Sequence, residues 1–328
     1  MASDAALVVV RALLASGDVT SEDLILLATE GGLPVTPSHR EFVPLVRGLL
    51  SPGTARTYGT GLRRLADVFA ARPLNSVNSG EIEVMAADIR REANSRGLPD
   101  GTGAARNFIH AARFFYRTAQ QHGYTSSNPA LDVRMPGGHR HVRRALTEVE
   151  LSDVYRVAAG TGDDPVLDVL LLDFHRETAA RRGGACALRT IDLRSDRPSI
   201  MLREKGGHER EIPVSPDLVI RLDTLAQSRA DDGGDNVFRY RDGSPLTGRR
   251  YDSLFKRVKD ELPWARRLGV SMHWIRHTTL TDISNAAGSR IAAAYAGHAE
   301  RSVTDRYTVP SFEDLLVAHS TVFPHAAS

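Results

Sequence analysis

The chain has 328 residues, about twice the length of a typical single domain, so two domains are the starting expectation. Hydrophobic residues make up 41% and charged residues 25%, which excludes a wholly disordered or fibrous protein. No apolar run approaches the roughly 18 residues of a membrane span, and no signal peptide is recognisable, so a cytoplasmic location is expected. A single cysteine, Cys186, excludes an internal disulfide framework and a multi-thiolate zinc site.

The formal net charge of +2 conceals a strong asymmetry along the chain. Residues 1–50 carry a net charge of −3, residues 51–145 carry +7, and the remainder carries −2. A positive block of this kind is expected where a protein meets a polyanion such as nucleic acid; the alternative is a solvated basic surface. Nearly all of the positive charge is arginine, because Lys205, Lys256 and Lys259 are the only lysines.

The first half of the chain is predicted to be helical. Residues 1–48 form an acidic segment with two short helices, and Thr20 is the predicted N-cap of the second. Apolar side chains then recur at intervals of three and four, which predicts amphipathic helices from Ser51, over residues 81–93 and over residues 104–120. Together these helices make up a predicted domain over residues 49–136.

A basic tether over residues 137–146 is predicted to link this domain to a second one. The second domain opens at Thr147 with a capping box. A buried helix is predicted over residues 166–174, and Gly206-Gly207 between two extended segments predicts a β-hairpin with Lys205 near its turn. Further helices are predicted over residues 216–228, 251–261, 272–287, 289–296 and 311–319.

The densest group of reactive side chains lies in the last third of the chain. His273 and Arg276 share one face of a helix, and Tyr307 follows Gly297-His298 by nine residues. With Arg181 and Lys205 from upstream, this set suits a phosphodiester, because guanidinium groups hold phosphate oxygens bidentately and a phenol can attack phosphorus. The candidate catalytic residues are Arg181, Lys205, His273, Arg276, His298 and Tyr307.

On these motifs the chain resembles the tyrosine recombinases, or phage-type integrases, over roughly residues 51–310. The matching segments are, in chain order, Thr178-Ala179-Ala180-Arg181-Arg182-Gly183-Gly184 with Leu188, Glu204-Lys205-Gly206, His273-Trp274-Ile275-Arg276-His277-Thr278, Ala296-Gly297-His298 and Tyr307. They are similar to the family's first arginine box, its hairpin lysine box, its His-x-x-Arg-His-Thr box, its Leu-Gly-His box and its nucleophile. Each segment alone is weak evidence, but five in this order and spacing are strong.

The chain departs from the family pattern at two positions. Gly184 stands where the family usually has an acidic residue that helps to orient its neighbours, and Glu177 and Asp173 are the nearby acids that could replace it. Ala179 stands in place of the usual turn glycine, so the turn is expected to close without a positive φ at this residue.

The resemblance implies a mainly α fold with a small antiparallel β element. It would consist of a helical core-binding (SAM-like) domain and a catalytic domain over residues 147–310, which together form a C-shaped clamp on DNA. The implied activity is site-specific recombination, in which DNA strands are cut and rejoined through a 3′-phosphotyrosyl intermediate without ATP, metal or another cofactor.

The resemblance also implies a role for each candidate residue. Tyr307 attacks the phosphate, and His273 accepts the phenol proton, whose pKa is ordinarily about 10. The catalytic arginines neutralise charge on the nonbridging oxygens, assisted by His298, and Lys205 protonates the leaving 5′ oxygen.

Double-stranded DNA carrying a recombination site is the implied partner. The implied assembly is a homotetramer in the synaptic complex, with a monomer or weak oligomer when free, and accessory DNA-bending or directionality proteins are further candidates. The tail over residues 311–328 is predicted to dock on a neighbouring subunit, because its apolar helix directly follows the nucleophile. The predicted DNA-binding residues are Arg56, Arg63, Arg64, Arg106, Arg113, Arg117, Arg140, Arg143, Arg144 and Arg182.

Three alternatives compete with this interpretation. A zinc hydrolase is suggested by the spacing of His273 and His277, but Trp274 occupies the place of the essential glutamate. The absence of the acid at Gly184 favours a non-catalytic DNA-binding relative, and a type IB topoisomerase-like enzyme would share the same chemistry. Lys256 and Lys259 are interpreted as an ordinary helix face, with phosphate contact as the alternative.

Overall fold

The computed structural model describes residues 36–95, 101–137, 144–203, 209–229, 234–297 and 310–324, together with Ala12, Leu14 and Thr20. The chain divides into two compact units, residues 1–140 and 141–328, and the division falls inside the predicted tether. The two helices predicted within residues 1–48 fall almost entirely outside the described ranges. None of the described helices is both long enough and apolar enough to cross a membrane.

Among the residues that the structure describes, the first unit contains four α-helices around an apolar core. They are α1 (His39–Gly48), α2 (Pro52–Val68), α3 (Ser79–Ser95) and α4 (Thr102–Gln121). The three predicted helices of this unit are confirmed, and Ser51 caps α2 by accepting a hydrogen bond from the Thr54 amide. Their apolar faces meet around Leu62, Leu65 and Phe115, none of which is exposed.

Helix α1 was not predicted, so the packed core of this unit begins ten residues before the expected start at residue 49. Ser38 and Glu41 form a capping box at its N-terminus, and Phe42 and Val46 are buried in the core. The buried His39 ring contacts the Tyr116 hydroxyl at 2.7 Å through Nε2. The overall acidic charge of residues 1–48 and the proline inside this helix obscured its apolar face.

The second unit contains eight helices in the part of the chain that the structure describes. They are α5 (Glu148–Gly160), α6 (Pro165–Thr178), α7 (Arg182–Cys186), α8 (Pro216–Ser228), α9 (Gly248–Glu261), α10 (Pro263–Leu268), α11 (Met272–Tyr295) and α12 (Phe312–Val322). All of the helices predicted after Thr147 are confirmed, and the predicted break between residues 287 and 289 coincides with a non-helical Gly288 inside α11.

A small antiparallel sheet accompanies these helices. Its strands are β1 (Leu193–Arg194), β2 (Ser199–Arg203) and β3 (Glu209–Pro213), in the order β1-β2-β3. The two strands of the predicted hairpin are confirmed, with Ile200 opposite Ile212, while β1 adds a short third strand. Both of these isoleucines are fully buried, so one face of the sheet lies on the core of the unit.

The C-terminal helix packs on its own unit. Helix α12 contacts α11 and β3, and Leu315 and Ala318 are buried there. The His319 ring lies 3.1 Å from a Glu177 carboxylate oxygen, and the Phe323 ring lies beneath the guanidinium of Arg176. Part of the apolar face of α12 is thus covered within its own unit, and the predicted docking of residues 311–328 on a neighbouring subunit stays a prediction.

Candidate active site

Arg181 stands between the end of α6 and the start of α7, at the N-cap position of α7. The turn before it closes through Ala179, whose φ of +47° lies in the left-handed region. The expectation that this turn avoids a positive φ is therefore wrong. Because a residue with a Cβ is disfavoured in this conformation by roughly 1–2 kcal/mol, the surrounding contacts must hold the turn in place.

Five successive backbone carbonyls at the C-terminal end of α6 each accept a hydrogen bond from a side chain of the same unit. The last carbonyls of an isolated helix have no partners and carry partial negative charge. The pairs are Arg176 O with Thr279 Oγ1 (2.8 Å), Glu177 O with the Tyr295 hydroxyl, Thr178 O with Arg210 (3.4 Å), Ala179 O with Arg276, and Ala180 O with His175 Nδ1 (2.9 Å). Together these side chains fix the turn that carries the first arginine.

Arg276 is the most buried of the described candidates, with 4% of its surface exposed. One Nη atom donates to Ala179 O, and the other donates to Ala296 O at 2.7 Å. Burial lowers the pKa of Arg276 to about 9, and the positive charges of Arg210 and Arg181 act in the same direction. The guanidinium stays charged at neutral pH and joins the turn before the first arginine to the C-terminal end of α11.

Arg210 makes a parallel link that was not predicted from the sequence. From β3 it donates to Thr178 O and Tyr295 O, the carbonyls adjacent to the two that Arg276 binds. Burial lowers the pKa of Arg210 to about 10. A signal was present in the sequence, because Arg210 shares a strand face with the buried Ile212, where an apolar residue is expected.

His175 holds the carbonyl directly before Arg181. The ring is fully buried, and its Nδ1 lies 2.9 Å from Ala180 O while its Nε2 lies 2.9 Å from the Tyr251 hydroxyl. Because a carbonyl only accepts, Nδ1 carries the proton, and Nε2 accepts from the tyrosine. Burial lowers the pKa of His175 to about 3, so the ring is neutral and fixed in one tautomer.

Arg181, His273 and Arg276 line one cleft of about 570 Å³. Its walls are the turn that carries the first arginine, the N-terminal end of α11 and one face of α9. The other lining residues are Ala180, Arg182, Tyr251, Asp252, Phe255, Lys259, Ser271 and Met272. Among the described residues, the lining contains three arginines and one lysine but only one carboxylate, that of Asp252. The cleft is therefore electropositive and suited to a phosphate group. Lys205, His298 and Tyr307 lie outside the described residues.

The acids proposed to replace the missing carboxylate at Gly184 are engaged elsewhere. Glu177 accepts hydrogen bonds from the amide and hydroxyl of Ser215, and Asp173 accepts them from Tyr155 and Arg221. A supporting role of either acid in place of the missing carboxylate stays a prediction. A Cβ at Gly184 would meet only the methyl group of Ala180, at 4.0 Å, so the position has room for a side chain.

The predicted DNA-binding arginines of the first unit fall into two groups. Arg56 and Arg63 are exposed on α2, and the structure records no ion pair for either among the residues it describes. Arg113 instead donates to Ala130 O, Leu131 O and Val133 O at 3.0–3.3 Å. Its guanidinium is used to hold the chain after α4, and the contact of Arg113 with DNA stays a prediction.

The remaining predicted contacts are partly engaged within the protein. Arg64 pairs with Glu92 at 2.6 Å, Arg106 donates to Pro136 O at 3.2 Å, and Arg117 lies over the Phe114 ring. Arg144 pairs with Glu150 at 2.5 Å, and Arg182 pairs with Asp252 at 2.9 Å. Arg140 and Arg143 lie outside the described residues. Exposed pairs of this kind are weak, so the paired arginines stay candidates for phosphate contact.

The histidines of α11 do not form a metal centre with other described residues. In the part of the chain that the structure describes, no group of three or more His, Cys, Asp or Glu side chains is arranged to hold a metal ion. His273 faces the cleft, whereas His277 is half-buried and lies 3.4 Å from the Thr281 hydroxyl.

Comparison with known proteins finds similarity to phage integrases and tyrosine recombinases. Residues 144–314, just over half of the chain, match the profile of the phage integrase family. The tyrosine recombinase XerC of Chromobacterium violaceum is 25% identical over 282 residues, which cover 84% of this chain and 90% of that protein. The tyrosine recombinase XerD of Mycobacterium tuberculosis is 27% identical over 310 residues, which cover 88% and 96%.

A solved structure shows the same fold. The lambda integrase tetramer bound to a Holliday junction aligns with a TM-score of 0.61 at 15% sequence identity, covering 90% of this chain and 84% of that one.

Proposed function

This chain belongs to the phage integrase family and is a site-specific tyrosine recombinase, and from that premise we propose that its cleft binds the DNA phosphate at which a strand is cut and rejoined. The predicted family resemblance is thereby confirmed. The observation that carries the proposal is the meeting of Arg181, His273 and Arg276 at one electropositive cleft. Arg181 lies almost a hundred residues before His273 and Arg276 in the sequence.

The proposed reaction is a transesterification. The Tyr307 oxygen forms a bond to phosphorus while the bond from phosphorus to the 5′ oxygen breaks, which leaves a 3′-phosphotyrosyl link. His273 accepts the phenol proton, and Lys205 donates a proton to the leaving 5′ oxygen. Because the ester bond is conserved in the covalent link, attack by the 5′-hydroxyl of another strand restores a phosphodiester without ATP.

The two catalytic arginines supply electrostatic stabilisation in this proposal. Arg276 enters the reaction already held by two carbonyls, and Arg181 extends from a turn whose carbonyls are all bound. Donors that are preorganised in this way need no rearrangement as charge develops on the nonbridging oxygens. His298 is assigned a supporting hydrogen bond to the same phosphate.

The proposed partners follow from the relatives. The lambda integrase structure is a tetramer on a Holliday junction, and we assign this chain the same kind of partner, double-stranded DNA, and the same assembly during strand exchange. The exposed arginines of α2 and the tether between the units would supply further phosphate contacts. Action on DNA places the enzyme in the cytoplasm in this proposal.

The decisive experiment traps the covalent intermediate. The protein is incubated with nicked duplexes drawn from a broad sequence library, and SDS-stable protein–DNA adducts are measured. Wild-type protein should form an adduct, whereas Tyr307→Phe should form none and Arg276→Ala should form it about 10²- to 10³-fold more slowly.

Two controls separate this function from its rivals. Tyr295→Phe removes another phenol from the same unit and should keep adduct formation within about tenfold, because its hydroxyl donates to the Glu177 carbonyl and Tyr295 is not among the described residues that line the cleft. An adduct from Tyr307→Phe at the wild-type rate, or no adduct from wild-type protein across the library, would contradict the assignment and favour a non-catalytic DNA-binding protein. Joining of strands from two separate duplexes distinguishes recombination from simple relaxation of supercoils.

A further inference from the structure

Lysine is rare in this chain, and two of the three lysines lie one turn apart on α9 with different surroundings. Lys256 is exposed and pairs with Asp260 at 2.6 Å, in an i,i+4 arrangement along the helix surface. Lys259 is half-buried and lies in the cleft. The structure records no carboxylate within ion-pair distance of the Lys259 amino group among the residues it describes, so only one of these lysines is neutralised inside the protein.

The face of α9 that carries Lys259 forms one wall of the cleft, separate in sequence from the turn that carries Arg181 and from the N-terminal end of α11. Asp252, Phe255 and Lys259 follow each other at intervals of three and four and all line the cleft. Asp252 is already bound by Arg182 at 2.9 Å. The carboxylate that lines the cleft is therefore paired with an arginine, and the positive charge of Lys259 is left for a ligand.

The cleft is larger than a single phosphate group requires. Its volume of about 570 Å³ lies within the range of roughly 300–1,000 Å³ found for sites that enclose a drug-sized ligand. Arg181 and Arg276 line it from the turn after α6 and from α11, and Lys259 lines it from α9. A phosphate held by the two arginines leaves the α9 side for the next part of the same strand.

We propose that Lys259 binds a second backbone phosphate of the DNA strand, next to the phosphate that is attacked. This inference rests on the proposed function, because it takes the cleft to hold a DNA strand. An ammonium group is a point charge without a fixed bonding plane, so the contact is independent of base sequence and fixes the position of the strand. In this assignment Lys259 binds DNA, and the reaction is carried out by the other candidate residues of the cleft, among them Arg181, His273 and Arg276.

Lysine-specific acetylation tests this assignment on the unmodified full-length protein. Acetylation of each lysine is measured by mass spectrometry with and without a short mixed-sequence duplex at saturating concentration. Lys259 should be protected several-fold by the duplex, whereas Lys256, one turn away on the same helix, should react equally in both samples. Equal reactivity of Lys259 with and without bound duplex would overturn the inference and leave the recombinase assignment intact.

Charge-removing variants supply the second measurement. Lys259→Gln should reduce the slope of log affinity against log salt concentration by about 0.9, the value for one lost phosphate contact, while Lys256→Gln should leave it unchanged. At limiting DNA, Lys259→Gln should form the phosphotyrosyl adduct more slowly than wild type because its affinity is lower, whereas Lys256→Gln should form it at the wild-type rate. An unchanged slope, or an abolished adduct at normal affinity, would overturn the proposed role of Lys259. Adduct formation by Tyr307→Phe would instead overturn the function and leave the acetylation pattern valid.

Discussion

The two units differ in what they bury. Among the described residues of the first unit, the buried polar side chains are His39, Thr102, Thr118 and Asn128. The second unit buries carboxylates and guanidiniums as well, among them Asp164, Asp168, Arg239, Arg250 and Arg276. Buried charges are stabilising only when they are fully paired, because their desolvation is unfavourable. The first unit is thus held by an apolar core, whereas the second places charged links around its cleft.

Two of the charged links of the second unit act on backbone segments that border the cleft. Arg276 and Arg210 each bridge the end of α6 and the end of α11. Arg250 precedes Tyr251 on α9 and binds both oxygens of Asp168 on α6, at 2.6 and 2.7 Å. Stability and catalytic geometry are therefore coupled in the second unit, where one change can affect both.

Arg250→Met should accordingly show the largest loss of stability. It leaves Asp168, which has no exposed surface, with Arg257 as its remaining ion-pair partner. Because that partner stays, we expect a loss of about 3 kcal/mol, the lower end of the range for a buried pair broken from one side. Urea unfolding of the full chain, followed by circular dichroism, measures the change in the free energy of unfolding.

Two variants serve as controls for this comparison. Asp163→Asn removes the exposed partner of the same arginine and should change stability by about 1 kcal/mol or less. Tyr116→Phe removes the hydroxyl that contacts His39 in the first unit and should destabilise by about 1–3 kcal/mol. If Arg250→Met lowers the free energy of unfolding no more than Tyr116→Phe does, the difference in buried charge between the two units has no consequence for stability.

The Glu150 carboxylate of the second unit is partly exposed, so its removal should cost less stability than the removal of a buried charge. The Arg144 guanidinium, with the Thr147 amide, holds the pKa of Glu150 down at about 2. Glu150→Gln should lower stability by about 1 kcal/mol at neutral pH, the scale of a helix cap. A folded-state pKa below the ordinary value contributes stability above about pH 4.5, and this contribution is lost as the pH falls towards 2.

Unfolding of wild type and Glu150→Gln at several pH values checks this sign. The difference between the two proteins should be constant from neutral pH to about 4.5 and then shrink towards zero near pH 2. A difference that grows on acidification would mean that the carboxylate is not the stabilising form. Glu148→Gln, in the same first turn of α5 and exposed, is the matched control.

The elements that the sequence predicted correctly have local signals. Gly288 marks the break in α11, Thr147 caps α5, and the glycines between β2 and β3 indicate a hairpin. Strand β1 has only two residues, too few for a period to appear. Helix α1 was missed because Pro44 lies inside it and because its residues were grouped with the acidic first part of the chain.

The site was predictable as a set of residues but not as an arrangement. Motif spacing identified Arg181, His273 and Arg276, which the structure brings to one cleft. The backbone carbonyls through which side chains hold the turn before Arg181 cannot be identified from the sequence, because every residue has a carbonyl. The partnership of His175 and Tyr251 joins positions 76 residues apart, so it depends on the packing of α6 against α9.

The smallest expected effect distinguishes the surface arginines of the first unit from those that serve its fold. Arg63→Gln should reduce the slope of log DNA affinity against log salt concentration by about 0.9 without changing stability, because the side chain is exposed on α2. Arg113→Gln should leave that slope unchanged and lower the free energy of unfolding, because three carbonyls lose their donor. Filter binding on a mixed-sequence duplex and urea unfolding measure the two quantities. If Arg113→Gln reduced the slope as much as Arg63→Gln, the Arg113 guanidinium of the wild-type protein would have to leave those carbonyls and contact a phosphate when DNA binds. A side chain that holds the fold of the first unit would then also contribute to DNA binding, as is proposed for the second unit.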